Sequence, residues 1–207
     1  MFNPRPQFTK AISIATATIS EVKPGQLDDP TPCDGTPVRQ LLGHMVDVVH
    51  RVAVVGQGGE PMSSPALDIK TIPDDGWLDA WTEAAAKADA AWTDEVALSR
   101  TVTLPWTTQS GAESLAMWTN EVTVHTWDLA ISIGQQPKWD EATLAVSFDA
   151  IRRDLPAEGR MAMFDALREG MPPEMRDFPP PFAEAVTVED DAPLIDRLVA
   201  WNGRTPR

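Results

Sequence analysis

The sequence predicts an all-α protein: a four-helix bundle with a C-terminal extension and at most one short strand or hairpin. Three observations carry this. Apolar residues recur at steps of three and four along the long segments, which is the helical period. Capping residues and glycine or proline stops bracket those segments. Only one stretch, Thr101-Val102-Thr103-Leu104, alternates with the two-residue period of a strand.

The first helix is expected from about Pro6 to Val22, with Phe8, Ile12, Ala15, Ile19 and Val22 on one face and Lys23-Pro24-Gly25 as its stop. A polar, Pro-rich connection, Leu27 to Asp34, leads to the second. There Thr36 is the expected cap, Pro37 the first helical residue and Gly56 the stop. A loop-like segment, Gly58 to Asp75, precedes a third helix from about Asp75 to Trp92. The fourth opens on Ser110-Gly111-Ala112-Glu113, a capping box, and ends at Gly134. Asp140 caps a fifth, to about Arg153. The Pro- and Met-rich stretch Leu155 to Phe182 holds at most a short helix, Met161 to Glu169. A last helix fits Ala192 to Asn202, with Asp191 as cap and Gly203 past its end. Long helices with little strand pack as a bundle. The expected organisation is one domain over residues 1–207, with a core bundle at about 6–153 and an extension at about 154–207.

Composition narrows the function. The 207 residues are 43% hydrophobic and 23% charged, as in soluble globular proteins. Asp plus Glu number 31 against 17 Lys plus Arg, a formal charge of −14 that repels phosphate backbones and anionic membranes. No apolar run reaches the ~18–20 residues of a membrane helix. Residues Met1 to Lys10 lack the layout of a signal peptide. One cysteine, Cys33, excludes an internal disulfide framework and a multi-Cys zinc site. A cytoplasmic protein with neither nucleic acid nor membrane as partner is expected. The Pro-rich tail could present an exposed face, which leaves a homodimer open.

Chemistry concentrates in three residues. Glu121 and His125 stand four apart on the fourth helix, so their side chains lie ~40° apart in projection and one turn apart in height. His44, midway along the second helix, could face the same core. Two imidazoles and a carboxylate are a normal donor set for zinc, nickel or iron, and three protein ligands leave a coordination position open. The same spacing also occurs as an exposed helix pair, and a single histidine on an apolar helix often serves packing alone.

The run Pro30-Thr31-Pro32-Cys33-Asp34-Gly35, followed by Val38-Arg39-Gln40-Leu41-Leu42-Gly43-His44-Met45, resembles a family opening of the form PTPC-x-G…VRDLLxHL. Residues Glu121 to Ala130, EVTVHTWDLA, with Ile133-Gly134-Gln135, resemble its second motif, VHxWDLAxxxGQ. The tail Asp191-Ala192-Pro193-Leu194-Ile195-Asp196-Arg197-Leu198-Val199-Ala200, then Gly203-Arg204, resembles its closing motif. These belong to actinobacterial metal-binding proteins similar to the metal-binding domain of mycothiol-dependent maleylpyruvate isomerase, within the DinB-like superfamily. The resemblance runs from about Phe8 to Pro206. Departures are Thr36 where the family often has Trp, Glu121 where it can have Asp, and Thr126 where many members have Gly.

The resemblance implies a DinB-like four-helix bundle holding a divalent metal, zinc first, on His44, Glu121 and His125. It also implies a small thiol cofactor, mycothiol or a relative, which the metal holds as thiolate for attack on a small electrophilic substrate. The expected activity is thiol-dependent isomerisation or transfer. A hydrolase using metal-bound water and a non-catalytic metal-binding or interaction protein remain the alternatives, and fold alone does not choose among them.

Four further readings complete the analysis. Asp128 shares the face of Glu121 and His125 and could orient a ligand imidazole or pair with Arg39, placing both behind the ligands. Cys33 precedes a helix N-terminus but lies ~12 Å along the axis from His44, so it reads as a small buried residue. His50, ~120° around the helix from His44, reads as a boundary residue. Trp118 and Trp127 read as core, with a pocket wall as the alternative.

Overall fold

The structure is a computed structural model. It describes residues 2–33, 35–61, 63, 65–104, 107–169 and 182–206. The helices are α1 (Arg5–Ile19), α2 (Val38–Gly56), α3 (Trp77–Ala91), α4 (Glu95–Ser99), α5 (Gly111–Ile133), α6 (Glu141–Asp154), α7 (Arg160–Glu169) and α8 (Leu194–Trp201). The hairpin of β1 (Thr101–Leu104) and β2 (Thr107–Ser110) is antiparallel, pairing Thr101 with Ser110 and Leu104 with Thr107.

Four helices close a ring. α2 packs on α3 and α5, and α1 packs on α5 and α3. The apolar stripes meet in one cluster that includes Phe8, Ala15, Leu41, Val49, Trp81, Ala88, Leu115 and Val122. Trp81 donates its indole N–H to the Thr16 hydroxyl at 2.8 Å, and Trp92 donates to the Val52 carbonyl at 2.9 Å. These two rings thus enter the core with their polar atoms satisfied.

α5 is covered on both sides. From Gly111 to Ala130 only Glu113 and Glu121 are not buried. Its second face, Met117 and Val124, meets Leu144, Phe148 and Ile151 of α6, with Leu155, Phe164 and Leu198. α6, grouped by its position in the chain with the core bundle, thus contributes to the cluster shared with the C-terminal elements. The buried threonines Thr119, Thr123 and Thr126 turn their hydroxyls back to the carbonyls four residues earlier.

Several ends differ from the sequence reading. α1 stops at Ile19, where tight turns take over through Glu21 and Val22. Thr36 does not cap α2. Pro37, in extended conformation, is the cap, and the Val38 and Arg39 amides donate to the Asp29 and Leu27 carbonyls. The preceding loop supplies the acceptors that a capping side chain would otherwise provide. α3 starts after Gly76, and Pro193 rather than Asp191 precedes α8. The Ser110–Glu113 capping box, the Asp140 cap and the left-handed Gly134 stop are present as expected. α4, capped by Asp94, is an additional element, and β2 completes the hairpin that the expected fold class allowed. Residues 170–181 of the Pro- and Met-rich stretch lie outside the described residues.

Candidate metal centre

α2 and α5 bring the three expected residues together. Glu121 Oε1 lies 3.2 Å from His44 Nε2 and 3.3 Å from His125 Nε2. Side-chain exposure falls from 41% at His44 to 22% at Glu121, 11% at His125 and zero at Asp128. The cluster is therefore most open on the His44 side, and Asp128 lies at its buried end.

The donor spacing fits a metal. A tetrahedral zinc with bonds of ~2.0–2.1 Å has donor–donor edges of roughly 3.3 Å. Both contacts to Glu121 have that length. The donor atoms of His44, Glu121 and His125 all fall within 4.8 Å of one another.

The other nitrogen of His125 faces inward. Its Nδ1 lies 3.0 Å from Asp128 Oδ2 and 3.8 Å from Cys33 Sγ. Cys33 donates to Asp128 Oδ2 at 3.1 Å. Arg204, beyond α8, donates through Nη2 to Asp128 Oδ2 at 2.9 Å and through Nε to Oδ1 at 3.3 Å. It also donates to Cys33 Sγ at 3.0 Å and to the Asn202 carbonyl at 2.7 Å. Cys33, His125 and Asp128 thus form a second set of metal-type donors, but a guanidinium already supplies the cation there.

The charges follow from this packing. Burial opposes ionisation of Glu121, yet hydrogen bonds with His125 and His44 outweigh it and hold the carboxyl well below its usual range. Burial likewise opposes charge on His125, but hydrogen bonds to Asp128, Cys33 and Glu121 raise its pKa well above the ordinary histidine value. Asp128, despite burial, is brought down to about 2 by the hydrogen bond from His125 and the charge of Arg204. Arg204, largely but not fully buried, is held firmly charged by Asp128.

Two expectations need correction. Arg39 does not reach Asp128. It pairs with Asp74 at 2.7 Å and stands 4.0 Å from Asp28. Five residues before His44 on the same helix, it points ~140° away. Cys33 is not a small residue set apart from the site. The bridge between Pro30 and Pro37 closes its loop and carries the thiol to α5, so distance along the α2 axis does not measure its separation from the three candidate donors. His50 belongs to neither donor set. Trp118 sits in the core, edge-to-face with Trp92, and Trp127 is buried. Arg204 falls within the closing motif, which by itself assigns it no role. It lies 76 residues from Asp128 and 171 from Cys33, beyond any spacing rule.

Residues 8–130 match the family model described as the mycothiol maleylpyruvate isomerase N-terminal domain, over more than half the chain. The chain belongs to this family. Two uncharacterised proteins of Mycobacterium tuberculosis, from strains CDC 1551 and H37Rv, are each 28% identical over 191 residues, 92% of this chain and of theirs. Among solved structures, mycothiol-dependent maleylpyruvate isomerase aligns with a TM-score of 0.57 at 21% identity, and a histidine-to-alanine mutant of that enzyme with 0.56. Each alignment covers 71% of this chain and 65% of the solved one, so the chain spans less than two thirds of that enzyme. At that identity the likeness shows the fold, which is DinB-like as the motifs implied. The family model covers His44, Glu121, His125 and Asp128, while Arg204 lies beyond its last matched residue. No helix among the described residues is long and apolar enough to cross a membrane.

Proposed function

We propose that this member of the mycothiol maleylpyruvate isomerase N-terminal domain family binds a divalent cation, zinc first, on His44, Glu121 and His125. We propose further that it uses mycothiol or another small thiol in isomerisation or group transfer on a small electrophilic substrate. The observation that carries the reading is the shared Glu121 Oε1, one tetrahedral edge from Nε2 of each histidine. When bound, the cation supplies Lewis acidity that favours thiolate over thiol at neutral pH.

The chain's own residues have distinct parts. Glu121 contributes negative charge that lowers the net charge of the loaded site. His125 donates Nδ1–H to Asp128 and so keeps Nε2 as the ligating atom. His44, the most exposed of the three, borders the side from which thiol and substrate enter. The family's name and the solved enzyme's thiol dependence support the thiol.

The test is metal content by mass spectrometry on untagged protein, beside His44→Ala and His125→Ala. Near-stoichiometric zinc, nickel or iron in the parent, lost in both variants, supports the site. No metal after supplementation with each ion overturns it. Mycothiol is then added to the loaded protein. A shift in the melting temperature, or in the spectrum of a cobalt-substituted sample, supports the thiol. A loaded protein indifferent to thiol favours metal-dependent hydrolysis or a non-catalytic metal-binding role.

A further inference from the structure

We propose that Arg204 is a positioning residue for His125, and that the C-terminal segment Asn202-Gly203-Arg204 is therefore a working part of the metal centre. The inference rests on the metal reading above for its function, and on the hydrogen-bond geometry alone for its structure.

Asp128 is fully buried and receives a fork from Arg204, with Nε on one oxygen and Nη2 on the other. Two parallel contacts fix the plane of a carboxylate as a single point charge does not. That plane aims Oδ2 at His125 Nδ1, 3.0 Å away. With the Nδ1 proton held there, the ring cannot rotate, and Nε2 faces Glu121 and His44.

The chain is arranged to deliver this fork. Asn202 and Asn120 exchange amide hydrogen bonds at 3.2 and 3.0 Å, both side chains buried. Gly203, with φ of +81°, ends α8 and turns the backbone so that the Arg204 amide donates to the Val199 carbonyl. A Cβ at Gly203 would lie 2.8 Å from that of Ala183, so the turn is also closed by packing. The two α5 residues held by the tail, Asn120 and Asp128, lie eight positions and ~12 Å apart. Glu121 and His125 fall between them. Sequence distance hides this arrangement, since the tail is far from α5 along the chain.

The test uses full-length Arg204→Ala, Arg204→Lys and parent, with zinc alone as probe. Zinc affinity is measured by competition with a chromogenic chelator. The His125 Nδ1–H resonance is followed in protein labelled with ¹⁵N-histidine. Both variants are expected to bind zinc ~10–100-fold more weakly, in the range of lost support behind a ligand. Their Nδ1–H resonance should broaden or vanish. Lysine keeps the charge without the fork, so it should not rescue, whereas a merely structural cation would be replaced by it. If Arg204→Ala does not fold, Arg204→Lys decides. A folded variant with zinc affinity within threefold of parent and an unchanged Nδ1–H resonance overturns the proposal. A parent that binds no zinc, yet loses the resonance in Arg204→Lys, overturns the metal reading while supporting the positioning role.

Discussion

The imidazole of His44 stands edge-on to that of His125, with ring centroids 4.6 Å apart and planes inclined by 81°. One ring comes from α2 and the other from α5, 81 positions later in the chain. The site is thus a property of how two bundle helices are spaced. A cation held by both rings ties those helices together.

Zinc is therefore expected to stabilise the folded chain. At 100-fold excess over Kd, binding contributes ~2.7 kcal/mol, or roughly 5–10 °C in Tm for a protein of this size. Thermal scans with and without zinc check this. The shift should be absent in His44→Ala and in His125→Ala, and an equal shift in either variant would place the cation elsewhere.

Zinc uptake should release protons. In the metal-free protein the carboxylates around His125 hold its pKa well above the ordinary value, so at pH 7 the ring carries a proton. Ligation needs its free Nε2, so that proton must leave. Apparent affinity should rise with pH and level off above the folded pKa of His125. Calorimetry in two buffers of different ionisation enthalpy measures the release, and buffer-independent heats at pH 6.5 would contradict it.

Asp128 predicts an acid limb of stability in the metal-free chain. Its folded pKa of about 2 lies below the ordinary 3.8. The contribution is fully present above pH 3.8 and is lost as pH falls through about 2. Its size is ~2 kcal/mol. Urea unfolding of parent and Asp128→Asn at pH 5, 4, 3 and 2 should show a gap that narrows with acid. A constant gap would remove ionisation as its cause.

The start of α5 offers a test remote from the site. Ser110 accepts the Glu113 amide at 3.2 Å, and the Glu113 carboxylate accepts the Ser110 amide at 2.8 Å. Ser110→Ala should cost ~1 kcal/mol and lower Tm by roughly 2–4 °C. Gly111→Ala should cost more, because its Cβ would collide with the Ala97 carbonyl oxygen, a backbone atom that cannot swing aside. Differential scanning calorimetry ranks the two, and a harmless Gly111→Ala would show that α4 shifts freely.

Much of the helical plan was legible in the sequence because its signals are local. The capping box at Ser110, the Asp140 cap and the Gly134 stop act within one turn, and all three were readable. α2 could be placed but not its cap, since the acceptors for its first amides come from Leu27 and Asp29 rather than from Thr36. β2, Thr107–Ser110, has no apolar alternation and is defined by pairing with β1. α6 carries a readable helix, but which cluster it joins depends on α5 being apolar on two faces.

By itself, the sequence determined the helical class, the acidic surface and the shared face of Glu121 and His125. Helical periodicity relates those two residues without reference to the rest of the chain. Only the tertiary structure decided that His44 closes on the same oxygen, that Arg39 turns away to Asp74, and that Cys33 and Arg204 meet at Asp128. Those contacts join segments up to 171 residues apart. They depend on helix spacing and loop closure, which are set by packing of the whole core rather than by the period of any one segment.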